Sequence, residues 1–299
     1  MSKPPFLTLP ACARAYRLPT ARGEFAVHDA LPAAPERGTV LLVPGFTGSK
    51  EDFIALLEPL AAAGYRAVAV DGRGQYESGG PREESAYAQG ELARDIHAQA
   101  AALGGAVHLL GHSLGGLVAR AAVLADASPF RSLTVMSSGP AAISEPQQAR
   151  TRLLIGALAQ LDMAAVWERM RQEGGQDTTD PDGPAAAPTA LDTFLYERWM
   201  ATVPGQLRET GRQLTVEPDR TEQLARVPLP KHVVSGERDY AWPVPWLDDM
   251  AQRLGAARTV IGGAEHSPNA ERPAATAAAL TAFWDGLPAG RTAGPARAL

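Results

Sequence analysis

Residues 111–116 read Gly-His-Ser-Leu-Gly-Gly, directly after the apolar run Ala106-Val107-His108-Leu109-Leu110 and just before a helix-forming run from Leu117 to Ala125. A strand, a Gly-x-Ser-x-Gly turn and a helix in that order form a nucleophile elbow. The turn is so tight that its serine takes a strained backbone conformation, and Gly111 and Gly115 are needed as neighbours without a Cβ. The hydroxyl of Ser113 is then presented at the C-terminal end of a sheet, with the N-terminus of a helix beneath it. Ser113 is the expected nucleophile.

A serine hydroxyl needs a base within hydrogen-bond reach and a third group that fixes the tautomer of that base. Six histidines compete for the first role. His28, His97 and His232 fall in or beside secondary structure, His108 lies in the strand before the serine, and His112 is locked in the turn, pointing elsewhere. His266 instead sits in Gly262-Gly263-Ala264-Glu265-His266-Ser267-Pro268, a loop between the last strand and the last helix. That loop emerges at the same sheet edge as the elbow, so His266 is the expected general base. The acid is expected between serine and histidine in the chain. Asp239 in Gly236-Glu237-Arg238-Asp239 follows a strand directly, with Glu237 as its nearest rival and Asp126 a remote one. A tetrahedral intermediate also needs two backbone donors. Leu114, after the nucleophile, supplies one, and Phe46 is the choice for the other, ahead of Thr47.

These residues require a parallel sheet to hold them. Buried strands are predicted at Thr39–Val43, Ala67–Val70, Ala106–Leu110, Leu133–Met136, His232–Ser235 and Arg258–Ile261, alternating with helices near 51–63, 86–103, 117–125, 244–254 and 273–285. That alternation predicts an α/β fold, with helices on both faces of the sheet. Residues 140–227 break the rhythm with helical stretches near 146–172 and 189–201 and a breaker-rich 178–184, which predicts a helical cap inserted between two strands. The expected division is a core of 1–139 and 228–288, a cap of 140–227, and a disordered tail of 289–299. Residues 1–23 read as a poorly ordered start leading into short strands. In the cap, Leu154, Leu158, Leu161, Trp167 and Met170 read as packing residues of which some line a pocket. Trp167 and Trp242 are the candidate substrate-binding residues.

At 299 residues the chain can bury one large α/β domain, and 45% hydrophobic residues with a formal net charge of −5 give no reason to expect nucleic acid or an anionic membrane as partner. One cysteine, Cys12, excludes an internal disulfide and a cysteine-based metal cluster. No metal and no organic cofactor is implied. The spacing of His108 and His112 suits a metal pair only on a helix, and Asp71-Gly72-Arg73-Gly74 lacks the spacing of a dinucleotide loop. Asp71 and Arg73 read as loop-bracing residues. No stretch approaches a membrane span, and the first ten residues hold no apolar leader, so the expectation is a cytoplasmic protein. Basic residues are nearly all arginine and alanine is abundant, the bias of a GC-rich bacterial genome.

Ser113, Asp239 and His266 in that order, on alternating strands and helices, resemble an α/β-hydrolase-fold protein with a helical cap over about residues 25–287. Pro44-Gly45-Phe46-Thr47-Gly48-Ser49-Lys50-Glu51-Asp52-Phe53 resembles the family's His-Gly-Phe oxyanion loop, and Asp71-Gly72-Arg73-Gly74-Gln75-Tyr76-Glu77-Ser78 its Asp-x-Arg-Gly loop. Pro44 departs from the pattern: a histidine that braces the loop is replaced. The resemblance implies a serine hydrolase acting on a small or medium apolar carboxylic ester, the same triad also serving C–C bond hydrolases, thioesterases, peptidases and cofactor-free perhydrolases resembling haloperoxidases. A ligand-binding protein that kept the fold is the alternative from another class. A serine nucleophile argues against haloalkane dehalogenases and epoxide hydrolases, which need a carboxylate there.

Overall fold

Eight strands form one sheet in the order β1-β2-β4-β3-β5-β6-β7-β8 in the computed structural model, which describes residues 2–173 and 188–288. They are β1 (Ala13–Thr20), β2 (Gly23–Ala30), β3 (Gly38–Val43), β4 (Tyr65–Val70), β5 (Val107–His112), β6 (Phe130–Met136), β7 (Lys231–Gly236) and β8 (Ala257–Ile261). From β4 to β8 every neighbouring pair is parallel, and β2 joins β4 antiparallel through Val27 opposite Val70. The expected mostly parallel α/β sheet is observed. Its central strands are continuous apolar runs because both faces are covered. In β3, Val40 and Leu42 face one core cluster and Leu41 and Val43 the other, the two-residue alternation of a strand.

Helices α1 (Ile54–Ala62), α2 (Gln89–Ala102) and α3 (Leu114–Ala125) precede the cap; α9 (Val244–Leu254), α10 (Pro268–Glu271) and α11 (Pro273–Asp285) follow it. Leu56, Leu57 and Leu60 of α1 pack with Leu280 and Trp284 of α11 on one face, while Ile96 of α2, Leu117 of α3 and Leu247 of α9 cover the other. Each such fully buried side chain contributes about 1.5–3 kcal/mol. Gly255 ends α9 in the left-handed conformation (φ 59°), where the missing Cβ removes the steric cost.

Three expectations are corrected. The segment read as a poorly ordered start contains β1, a full eight-residue strand in a hairpin with β2, from Ala13 opposite Ala30 to Thr20 opposite Gly23. Its arginines hide a strand whose anchor is the buried Asp29, which accepts from Arg14, Tyr16 and Arg66. The helical stretch expected near 146–172 is divided into two helices, α4 (Glu145–Gln160) and α5 (Met163–Glu173). The break falls where the Asp162 carboxylate accepts from the Ala165 amide and starts a new helix. The cap also holds α7 (Pro204–Val216) and α8 (Thr221–Ala225), besides the expected α6 (Ala190–Ala201). Pro204 at the first turn, a position that tolerates its missing N–H, opens α7 rather than breaking it. The breaker-rich 178–184 and the tail 289–299 lie outside the described residues.

The helical cap, α4 to α8, lies between β6 and β7 and contains no strand among the described residues. It has a small core of its own, with Trp167, Phe194, Trp199 and Leu207 at its centre. It is tied to the sheet domain by polar bonds: Gln213 Nε2 donates to Tyr87 O (2.8 Å), Val203 N to Gly74 O (2.9 Å) and Arg198 Nη1 to Asp52 Oδ1 (2.9 Å).

Candidate active site

At the end of β5 the chain turns so sharply that Ser113 has φ 56° and ψ −122°, a region that L residues rarely adopt. The glycines around it are dictated by contact. A Cβ on Gly111 would collide with the Gly115 backbone, one on Gly115 with the carbonyl oxygens of Val43 and Pro44, and one on Gly116 with Ser138. The elbow thus packs onto the end of β3. Helix α3 runs away from Ser113 with its N-terminus beneath the hydroxyl, as the motif requires, though it begins at Leu114 rather than 117.

His266 follows β8 and meets Ser113 across the top of the sheet. Its Nε2 lies 3.1 Å from Ser113 Oγ, and its Nδ1 lies 2.9 and 3.0 Å from the two oxygens of Asp239. A carboxylate only accepts, so Nδ1 carries the proton and Nε2 is free to accept from the serine hydroxyl. The Asp239 side chain is wholly buried and its Oδ1 accepts from the amides of Ala241 (2.8 Å) and Trp242 (3.1 Å). This turn aims the carboxylate at the imidazole. The rivals are elsewhere: Glu237 is exposed, and Asp126 caps Ser128 on the surface beyond α3.

His112 has a part that its position in the turn did not reveal. Its Nε2–H donates to the carbonyl of His266 (2.8 Å), fixing the loop that carries the imidazole. Burial, followed by the neighbouring His266, pushes the His112 pKa down to about 4, so the ring is neutral. The end of β7 steadies the same loop, with Glu237 N donating to Ala264 O (2.8 Å). No sequence signal marks His112 for this contact, because its partner lies 154 residues away.

The loop after β3 passes directly over the elbow: a Cβ on Gly45 would lie 3.2 Å from Ser113 Cβ. Among the described residues neither the Phe46 nor the Leu114 amide donates to a protein acceptor, leaving both free to serve a ligand oxygen. Gln75 supplies the brace that Pro44 cannot. Its Nε2 donates to Gly45 O (2.8 Å) while its Oε1 accepts from Gly72 N (3.0 Å). Asp71 fixes the far end, accepting from Lys50 N (2.7 Å) and Lys50 Nζ (3.0 Å), and Arg73 forks onto Asp95. Both brace loops, as their positions in the sequence suggest.

Above these groups lies a cavity of about 1220 Å³ between sheet edge and cap, with Ser113, His266 and Phe46 in its wall. Ile143, Leu154, Met170 and Leu214 give it apolar sides. The two indoles expected to bind substrate are not in that wall, and both assignments are corrected. Trp242 is fully buried, wedged against Gly139, with Nε1 donating to Ala141 O (2.8 Å). It stands behind His266, and its neighbour Tyr240 faces the cavity with its ring 4.7 Å from the imidazole. Trp167 is held in the cap core against Trp199 and Tyr196, and the adjacent Val166 lines the cavity. Leu161 also lines it, whereas Leu158 is cap core.

Residues 40–279 match the model of the alpha/beta hydrolase family. The chain belongs to that family. Solved structures share the fold across nearly the whole molecule. A hydrolase from Pseudomonas aeruginosa PA01 superposes with a TM-score of 0.70 at 23% identity, over 92% of this chain and 99% of that one. A thermophilic esterase from Thermogutta terrifontis gives 0.70 at 21% identity over 91% and 98%, and an epoxide hydrolase from Vigna radiata 0.70 at 20% over 92% of this chain. At such identities the likeness is one of fold, and alpha/beta hydrolases of one fold run different reactions. Among the described residues no helix is long and apolar enough to cross a membrane.

Proposed function

We propose that this alpha/beta hydrolase is a serine esterase that cleaves a small or medium carboxylic ester with an apolar acyl group, through an acyl-enzyme on Ser113. The observation that carries the reading is the unbroken line Ser113 Oγ, His266, Asp239 beneath an apolar-sided cavity. In this mechanism His266 Nε2 takes the hydroxyl proton as Ser113 Oγ attacks the ester carbonyl. Asp239 stabilises the imidazolium, and the Phe46 and Leu114 amides receive the oxyanion. The imidazolium then protonates the leaving alkoxide, and the alcohol departs. A water, deprotonated by His266, attacks the acyl carbonyl; the carboxylic acid leaves and Ser113 recovers its proton. A serine in place of a carboxylate favours this route over the alkyl-enzyme chemistry of epoxide hydrolysis.

The test is the intact mass of the protein after treatment with a fluorophosphonate. Wild type should gain one adduct, Ser113→Ala none, and His266→Ala one far more slowly, with kcat on an ester such as methyl hexanoate falling about 10³-fold or more in either variant. A folded wild type that takes up no adduct would sink the reading and favour a ligand-binding protein that kept the fold.

A further inference from the structure

The cavity-facing side of α4 carries Arg150, Leu153, Leu154 and Ala157, at i, i+3, i+4 and i+7, a row along the helix that Leu161 follows just past its end. One member of an otherwise aliphatic row is a guanidinium. Arg150 has no ion pair or hydrogen bond among the described residues, whereas the two carboxylates in the same cavity wall are both engaged. Asp52 is paired with Arg198, and Glu271 accepts from the amides of Ser267 (3.0 Å) and Glu265. Lys3 and Arg152 line the same space, so with Arg150 its cations outnumber its carboxylates. Gln147 and Thr151, a turn before and one residue after Arg150, add a side-chain amide and a hydroxyl to that wall.

The start of α4 is pinned near the acid of the triad. Ser144 N donates to Ala241 O (2.8 Å) and Ser144 Oγ to Tyr240 O (3.0 Å). Arg150 lies six residues on, so about 9 Å along the helix axis from this anchor, in the wall of the cavity that also holds Ser113. From this we infer that Arg150 is a specificity-determining residue for esters that carry a second, free carboxylate beyond an apolar spacer. A planar guanidinium receives a carboxylate through two parallel N–H donors, and Gln147 and Thr151 can complete the site. This deepens the esterase reading above and rests on it.

The test compares monomethyl adipate with methyl hexanoate, which differ by the distal carboxylate. Wild type should show kcat/KM about tenfold higher for the charged ester. In Arg150→Gln the charged-to-neutral ratio should fall at least fivefold, about what one lost charge-assisted contact gives, and Arg150→Lys should keep part of it. A wild-type ratio below one, or a ratio unmoved by Arg150→Gln, overturns the inference while leaving the esterase reading intact. If folded wild type turns over neither ester, the esterase reading fails and calorimetry decides the site. Monomethyl adipate should then bind Ser113→Ala about tenfold more tightly than Ser113→Ala/Arg150→Gln, and equal affinities or no binding overturn it.

Discussion

A methyl group is enough to pull the elbow off the strand beneath it. Gly115 touches the carbonyls of Val43 and Pro44 so closely that alanine there must push α3 away from the loop that carries Phe46. Overpacking of this kind costs about 1–3 kcal/mol, several degrees of melting temperature in a chain of this size. Gly115→Ala should therefore lower the melting point and slow fluorophosphonate labelling of Ser113 together, because the Leu114 and Phe46 amides separate. Gly90 in α2 has open space around it, so Gly90→Ala should instead raise stability by about 0.5–1 kcal/mol. Unchanged labelling in Gly115→Ala would show that the two donors are not held by this contact. At this scale the sequence was readable wherever chemistry is local. A tight turn demands glycine at stated neighbours, and an acid or base loop follows its strand directly. Adjacency to Asp239 does not say which way the Trp242 side chain points: Tyr240 faces the cavity and Trp242 turns under Gly139.

Three elements converge on one buried ion pair. Arg198 of α6 donates to Asp52 Oδ1 (2.9 Å) and to the Ser2 carbonyl (2.6 Å), and the Asp52 carbonyl accepts from Asn269 of α10 (2.7 Å). The cap, the turn before α1 and the helix after His266 are thereby joined through two residues whose side chains are 1% and 0% exposed. Removing one partner strands the other charge in a dry site, at a cost of about 3–5 kcal/mol. Arg198→Met should lose that much in urea unfolding, and Arg198→Met/Asp52→Asn should recover a large part of it. If the double variant is as unstable as the sum of the two single ones, the pair is not coupled. A run from 190 to 201 without proline or glycine makes α6 legible, but nothing in it marks one arginine as buried, since arginine is seldom so. Helix α7 escaped for a related reason. It holds Pro204, Gly205 and Gly211, residues of low helix propensity, yet a Cβ on Gly205 would meet the Arg82 carbonyl and one on Gly211 the Phe46 ring. Tertiary approach, which a one-dimensional pattern does not carry, selected them.

Across the whole molecule, four imidazoles are buried in neutral form, and this makes the fold sensitive to acid. Burial lowers the pKa of His28 in β2, His112 in β5 and His232 in β7 to about 4, and that of His108 in β5 to about 3. Each has an ordinary value near 6.5 once the chain unfolds. Between pH 6.5 and 4 the unfolded state therefore binds more protons than the folded state, and stability falls as pH falls. A depression of this size contributes about 3 kcal/mol for each group, fully present above pH 6.5 and lost by pH 4. Asp71 acts with the opposite sign. Burial raises its pKa to about 7, so the folded state holds that proton first and gains stability as pH falls from 7 towards 4. Burial also raises the pKa of Asp52, and four imidazoles against two carboxylates still leave a net excess of protons on the unfolded state near pH 5. Since domains of this kind are stable by only about 5–15 kcal/mol, the sheet should not survive to pH 4. Thermal melts followed by circular dichroism should show a level midpoint from pH 8 to 7 and a steep fall below 6.5, with unfolding at room temperature before pH 4. A midpoint that stays level down to pH 4.5 would mean that these histidines are solvated or charged in the fold. Replacing His108 by glutamine, which can still bond Ser132 Oγ as the imidazole does at 2.8 Å, removes one titrating group. It should flatten the fall by about a quarter to a third without shifting its onset, which separates linkage at the buried rings from a general loss of carboxylate pairs in acid.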